Sequence, residues 1–429
     1  MAVAARLPPT LPPRPAWVRS TRRWGARIAG TALLVNFLLF WAIPIAFQGQ
    51  AFHLGLKRLL IPVYTCLDQS QTLRKLALRY VYSKPQYCDF AATAVFTLAS
   101  VTISFGTVLG WQLKAGNLPA WLIAAYNCAW VGFGGRVMGA AYTFAHKEGH
   151  NALIYQRWLR YSVGNVFENW VGTLFGNVPY NFTTSHVHIH HALDGGKGDT
   201  FYMWDVDRSS VSDFLLFISR ILLHMTGISS LRYFYHRSMW REFNLLLRGC
   251  LIYWVLVPTL LYAVTRSGSF LMWVWLQPLF CMTTFLAVIN WGFHGFIHYD
   301  DNGKHVECVN ASTLIDGRDD SFGEDDHMAH HYSTQTWYTD VETYRQKIMD
   351  NLKKYHGSVF KSISIPELSI MIMVGDFDRL AEQYVDYTGK MSKSDIAQML
   401  RTRAKHKEIE YDEYHEWCRQ AEAAARAAG

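Results

Sequence analysis

The sequence predicts an all-α integral membrane protein: about four core transmembrane helices in two hairpins, a further N-terminal apolar helix, and a cytoplasmic cap that carries clustered histidines. Three observations predict it. Half of the 429 residues are apolar, 15% are aromatic, 16 are tryptophan and only 17% are charged, which is membrane-protein usage. Apolar runs of about twenty residues, long enough to span a bilayer, recur along the chain. Histidine clusters lie in polar sequence at or beside the ends of those runs.

Residues 1–27 are rich in Pro, Ala and Arg, with no acidic residue before Asp68, a pattern that suits either an organelle-targeting leader or a disordered basic membrane flank. Ile28 to Phe47 is then apolar for about twenty residues, and whether it crosses the membrane or is cleaved is left open. Residues 49–89, with Lys57, Arg58, Arg74, Lys75, Arg79 and Lys84, read as an amphipathic connector on the cytoplasmic side. The first hairpin takes Phe90 to Trp111 and Ala120 to Phe144, and its second arm delivers His146 and His150 at its end. Val163 to Val178 is too short and too polar for a span and reads as re-entrant or interfacial. Val211 to Ile228, carrying Asp213, Arg220 and His224, is expected in the interface. The second hairpin takes Leu245 to Val264 and Phe270 to Phe293. Lys and Arg concentrate in 49–89, in 146–245 and after 299, which puts every histidine cluster on the cytoplasmic side. After His298 no further span is expected. Ser392 to Ala428 reads as a charged helix with Ser392 and Asp395 as a capping box. The division is therefore a basic N-terminal segment (1–89), a membrane-embedded catalytic region (90–335) and a cytoplasmic helical region (336–429).

The net charge of +7 is dispersed through loops beside apolar spans, which excludes a nucleic-acid surface. The seven cysteines (66, 88, 128, 250, 281, 308 and 418) have no framework spacing and read as packing residues in a reducing or membrane setting.

The chemistry lies in His146-Lys-Glu-Gly-His150, His186-Val-His-Ile-His190-His191 and His327-Met-Ala-His330-His331. A lone histidine is usually a core or interface residue, but three tight groups in a membrane chain need a common reason. Residues three and four apart share a helix face, so His146 with His150, and His327 with His330 and His331, can aim at one point. In the second group His186, His190 and His191 lie together, whereas His188 points away if the segment is helical. So many imidazoles, without a Cys-x-x-Cys pair, point to two open metal ions rather than structural zinc, and to iron rather than magnesium or calcium. Glu148, Asp194, Asp199, Asp316, Asp325 and Asp326 are candidates to orient the imidazoles, although Asp316 to Asp326 reads equally well as a solvated acidic loop.

The spacings His-x-x-x-His, His-x-x-x-His-His and His-x-x-His-His on this hydropathy pattern resemble the membrane fatty acid desaturase and hydroxylase superfamily over most of residues 90–335. The resemblance implies four core helices, a cytoplasmic di-iron centre and O2-dependent attack on unactivated C–H bonds. Asn290-Trp-Gly-Phe-His294 resembles an Asn-x-x-x-His element of that family, which implies His294 and Asn290 as further metal residues and leaves His298 a supporting place. The second cluster departs from the His-x-x-His-His of acyl desaturases, and its wider form is similar to that of alkane hydroxylases.

Removing hydrogen from a methylene chain exceeds what acid–base or nucleophilic side chains achieve, and an iron pair with O2 and two electrons supplies the oxidant. The expected reaction is desaturation of an acyl chain. Hydroxylation of an alkyl, acyl or carotenoid-like chain is the alternative, and a metal permease is the reading from another class. No His-Pro-Gly-Gly haem motif is fused to the chain, so the electron donor is expected to be separate, a cytochrome b5 or ferredoxin with its reductase. Arg157, Arg160 and Arg241 suit either docking of such an acidic donor or contact with lipid headgroups. The expected location is the endoplasmic reticulum, with a plastid or mitochondrial membrane as the alternative.

Overall fold

In hydrocarbon a backbone must satisfy its own N–H and C=O groups, so long apolar runs become helices. The computed structural model describes residues 16–46, 57–132, 136–151, 153–317, 322–337 and 340–408. Among them four helices are long and apolar enough to cross a membrane: Val18–Ala46, Ala91–Ala115, Trp240–Thr265 and Gly268–Phe293. The number agrees with expectation, but the membership differs.

Helix α1 (Ala16–Phe37) runs on through a π-helical turn, Leu38–Ala42, and begins inside the stretch that reads as leader or flank. Two of its arginines are bound: Arg23 lies 3.4 Å from Asp205 and Arg27 lies 2.9 Å from Asp213. Conversely, the expected second arm of the first hairpin is not continuous. Helix α2 (Ala120–Val131) stops at Gly132, whose φ is +67°, and α3 (Arg136–His150) starts anew. A positive φ suits glycine, and a Cβ there would meet Val137 at 2.4 Å, so the chain breaks at this residue.

The connector of residues 49–89 contains α4 (Lys57–Asp68) and α5 (Gln71–Tyr80) within its described part. Asp68 caps α6 (Ala91–Ala115): its carboxylate accepts from Ala92 N (2.9 Å), Thr93 N (3.0 Å) and Thr93 Oγ1 (2.6 Å).

Helix α7 (Val211–Met225), expected in the interface, packs against α1 and against α8 (Gly268–Phe293). Its polar residues are satisfied inside. Asp213 meets Arg27, Arg220 donates to Asp205 (2.7 Å), and His224 Nδ1 lies 2.9 Å from Thr200 Oγ1. At Gly227 the chain bends by 69° into α9 (Ile228–His236). Helix α8 is the central element, with 61% of its apolar window buried against 22–28% for the other three. Those three turn apolar residues such as Val95, Ile103 and Leu260 outward, as lipid-facing helices do.

The C-terminal part is tied to the rest. Strands β1 (Thr313–Ile315) and β2 (Val359–Lys361) pair in parallel, and α10 (Ile365–Val374) packs on α8, where Ser369 Oγ donates to Val288 O (2.6 Å). Helix α11 (Lys393–Lys405) carries the capping box of Ser392 and Asp395, but ends at Lys405; the remainder of the long helix, from 409, lies outside the described residues.

The α1–α7 contact is tightest at Gly30, where a Cβ would lie 1.9 Å from Leu215 O, whereas Gly25 faces open space. Gly30→Val is expected to destabilise the detergent-solubilised protein by about 1–3 kcal/mol, and Gly25→Val much less. Thermal unfolding of the two variants checks this.

Candidate metal centre

Helix α3 aims His146 and His150 from one face, one turn apart. The chain then folds back through a π-helical turn, Phe167–Val171, and the short helix Gly172–Leu174, both packed beside α3. A second π-helix, Phe182–His190, presents His186 and His190, and His191 follows directly. His294 caps the end of α8. Its neighbour Phe293 stacks on His327 at 4.1 Å between ring centroids, which brings helix α12 (His327–Tyr332) against the span. Asp326 anchors that helix through Thr313 Oγ1 (2.8 Å) and Arg345 (2.8 Å).

Nine imidazoles converge in two adjacent groups: His146, His150, His186, His191 and His330 in one, and His190, His294, His327 and His331 in the other. In the first, Nε2 atoms are separated by 2.7 Å (His146 to His186), 3.2 Å (His146 to His150), 3.0 Å (His186 to His191) and 2.9 Å (His191 to His330). In the second, His327 Nε2 lies 3.0 Å from both His294 Nε2 and His331 Nε2. The groups adjoin, since the His191 and His331 rings are 4.5 Å apart.

Carboxylates fix which nitrogen faces inward. His190 Nδ1 donates to Asp199 (3.0 Å), His331 Nδ1 to Asp194 (2.8 Å), and His146 Nδ1 lies 2.8 Å from Glu324. With Nδ1 so engaged, Nε2 of each presents a lone pair. His190 Nε2 is buried without a hydrogen-bond partner among the described residues. Burial pushes His150, His186, His191, His294, His327 and His330 well below the ordinary histidine pKa, so they are neutral. Burial would also lower His331, but hydrogen bonding to Asp194 and the charge of Glu307 hold it above that value.

These groups fit metal ions. Two nitrogens each about 2.1 Å from one ion, at right angles, stand about 3.0 Å apart, which is the spacing seen here. Each group could hold an ion, and a donor set made of imidazole suits a transition metal rather than magnesium or calcium.

Asn290 is buried on α8, one turn before His294, and its Nδ2 donates to Leu286 O (2.9 Å). His188 is exposed and outside both groups, while His298, half-buried, belongs to neither. Of the carboxylates expected to orient imidazoles, Asp194 and Asp199 do so. Asp316 pairs with Lys361, Asp326 anchors α12, and Glu148 holds backbone instead. Glu324, Glu307 and His305 were not anticipated. Glu324 is buried within the run that reads as a solvated acidic loop, and nothing local separates it from its neighbours. His305 sits between Asp194 (3.2 Å) and Glu307 (3.5 Å), which raise its pKa to about 9.

Two buried glutamates set the register of the first two clusters. Glu148, between the α3 histidines, accepts from Phe167 N (3.1 Å), Glu168 N (2.7 Å) and the Tyr155 hydroxyl. Glu168 in turn accepts from Thr183 N (2.8 Å), Thr183 Oγ1 (2.6 Å) and Asn165 Nδ2 (2.8 Å). Burial pushes Glu148 up to about 8, and raises Glu168 as well.

No family model, curated protein or solved structure matches the chain.

Asp199→Asn is expected to weaken metal binding about 10–100-fold, because the amide cannot hold His190 in the same way; His188→Ala should leave it unchanged. Titrating metal into the chelated protein checks both. Glu168→Gln should cost about 1–3 kcal/mol of stability by leaving a buried donor at Thr183 unpaired, read from thermal unfolding of the metal-free protein.

Proposed function

We propose that this chain is a membrane oxidoreductase of the desaturase and hydroxylase type, using two iron ions and O2 to introduce a double bond into an acyl chain. The observation that carries the reading is the convergence of nine imidazoles, from three sequence clusters and His294, into two adjoining groups beside apolar helices. The iron pair would supply an oxidant able to remove hydrogen from a methylene group. His146, His150, His186, His191 and His330 would hold one ion, and His190, His294, His327 and His331 the other. Asn290 remains a proposed supporting residue.

The chain's own residues do the remaining work. Asp194, Asp199 and Glu324 keep the imidazoles oriented, so the ions' positions are set before substrate arrives. Phe182, Phe201 and Phe293 pack against the histidine rings and exclude water. A small cavity with room for about one water lies beside the site, lined by Ala141, Ala145, Asn177, Phe182, Met225 and Met282 and by Tyr142, whose ring centroid is 6.1 Å from that of His146.

The topology that goes with this reading keeps the clusters on the cytoplasmic side, in the membrane of the endoplasmic reticulum, where a separate cytochrome b5 or ferredoxin delivers electrons. The second reading, hydroxylation, is favoured by the His-x-x-x-His-His spacing, which occupies a π-helix.

Mass spectrometry of lipids and hydrocarbons from a host expressing the wild type, with His330→Ala as control, tests the proposal. The expected product is two hydrogens lighter than its precursor and absent with the variant. A product heavier by one oxygen would select hydroxylation. Equal products from wild type and variant would remove the metal-centre reading.

A further inference from the structure

Seven residues after His150 the chain enters α13 (Arg157–Ser162), whose start meets the C-terminal end of the connector helix α5. Gln156 N donates to Val81 O (2.7 Å), Trp158 Nε1 to Tyr80 O (2.9 Å), and the Tyr82 and Tyr155 rings stack at 5.7 Å. The two helices therefore present one surface. Its cations are Lys75, Arg79, Arg157 and Arg160, and none has a carboxylate within ion-pair distance among the described residues. Between them stand apolar and aromatic side chains facing outward: Trp158 is 60% exposed and Tyr161 76%. Arg157 and Arg160 both lie over the Tyr161 ring, at 5.8 Å and 5.3 Å.

The depth of this surface is set by its attachments. Asp68, three residues before α5, caps the first turn of the span Ala91–Ala115, and Arg74 of α5 lies 2.7 Å from Asp89, two residues before that span. Both short helices thus sit at the mouth of a membrane-spanning helix, where amphipathic aromatic rings and snorkelling arginines are most stable. Indole, phenol and guanidinium groups also serve protein interfaces, but attachment at the end of a membrane-spanning helix puts these at headgroup depth, which favours lipid.

We infer that α5 and α13 form an interfacial site for anionic phospholipid headgroups, with Arg157 and Arg160 binding the phosphate and Trp158 and Tyr161 lying at the level of the glycerol backbone. The attraction arises from charge, so it is screened by salt. It is independent of the metal centre.

The test uses the full chain reconstituted in phosphatidylcholine vesicles containing spin-labelled phosphatidylglycerol or spin-labelled phosphatidylcholine. Electron paramagnetic resonance should show phosphatidylglycerol enriched about threefold in the immobilised shell, falling towards parity in high salt. Arg157→Gln with Arg160→Gln should abolish most of that preference, whereas Arg157→Lys with Arg160→Lys should keep most of it. A second measurement leaves the arginines intact. A nitroxide at Tyr161→Cys, with Cys66→Ser and Cys418→Ser, should be relaxed by oxygen more than by a water-soluble nickel chelate. No preference for the anionic lipid, a preference that survives the glutamine pair, or a label at 161 relaxed chiefly by the chelate would each overturn the inference. The last result would return this surface to an acidic protein partner.

Discussion

The structure depends on how nine imidazoles can be brought together at all. Ring nitrogens that face one another at about 3 Å repel when each presents a lone pair, and burial removes the option of relieving that repulsion by taking up protons from water. A cation between them would convert repulsion into ligation. Without one, the arrangement must be imposed by groups outside it. Those groups are carboxylates with fixed partners of their own. Asp199, for example, also accepts from Gly195 N (2.8 Å) and Phe201 N (2.8 Å), so its position is not free to follow His190.

This explains why so many carboxyl groups are buried or half-buried in a chain of such apolar composition. Glu148, Glu168, Asp194, Asp199 and Glu324 would each be costly alone in a membrane-associated body. Each accepts hydrogen bonds from backbone or from histidine, so removal from water is offset locally. They do two different jobs: Glu148 and Glu168 join three chain segments through backbone N–H groups, and Asp194, Asp199 and Glu324 aim individual rings. The helices supply the walls, and the carboxylates supply the angles.

The histidine clusters were legible because their spacing carries information at short range. His146 and His150 share the face that helical geometry assigns them, as do His327 and His331, and His188 turns outward as expected; His330, also expected to aim with His327, joins the other group instead. The membrane character and the approximate number of spans were equally legible, since hydropathy is additive along a run. What failed was membership. Apolar composition cannot distinguish a helix covered by lipid from one covered by protein: ion pairs to α1 and to Asp205 let the polar residues of Val211–Met225 pack against protein. Nor can composition reveal a break forced by one residue, as at Gly132. Supporting carboxylates were the least legible, because Glu324 acquires its role from His146, which is remote in sequence.

The π-helix at Phe182–His190 has a consequence for how this chain tolerates change in length. A π turn takes more residues than an α turn to complete the same rotation, so it holds a surplus residue without displacing what lies on either side. Loss of one residue between His186 and His190 would tighten the segment towards α geometry and leave its ends, fixed by Thr183 and by Asp194, close to their places. The second cluster is therefore the position at which insertion or deletion could retune the distance between the two groups of ligands while the first and third clusters stay where they are.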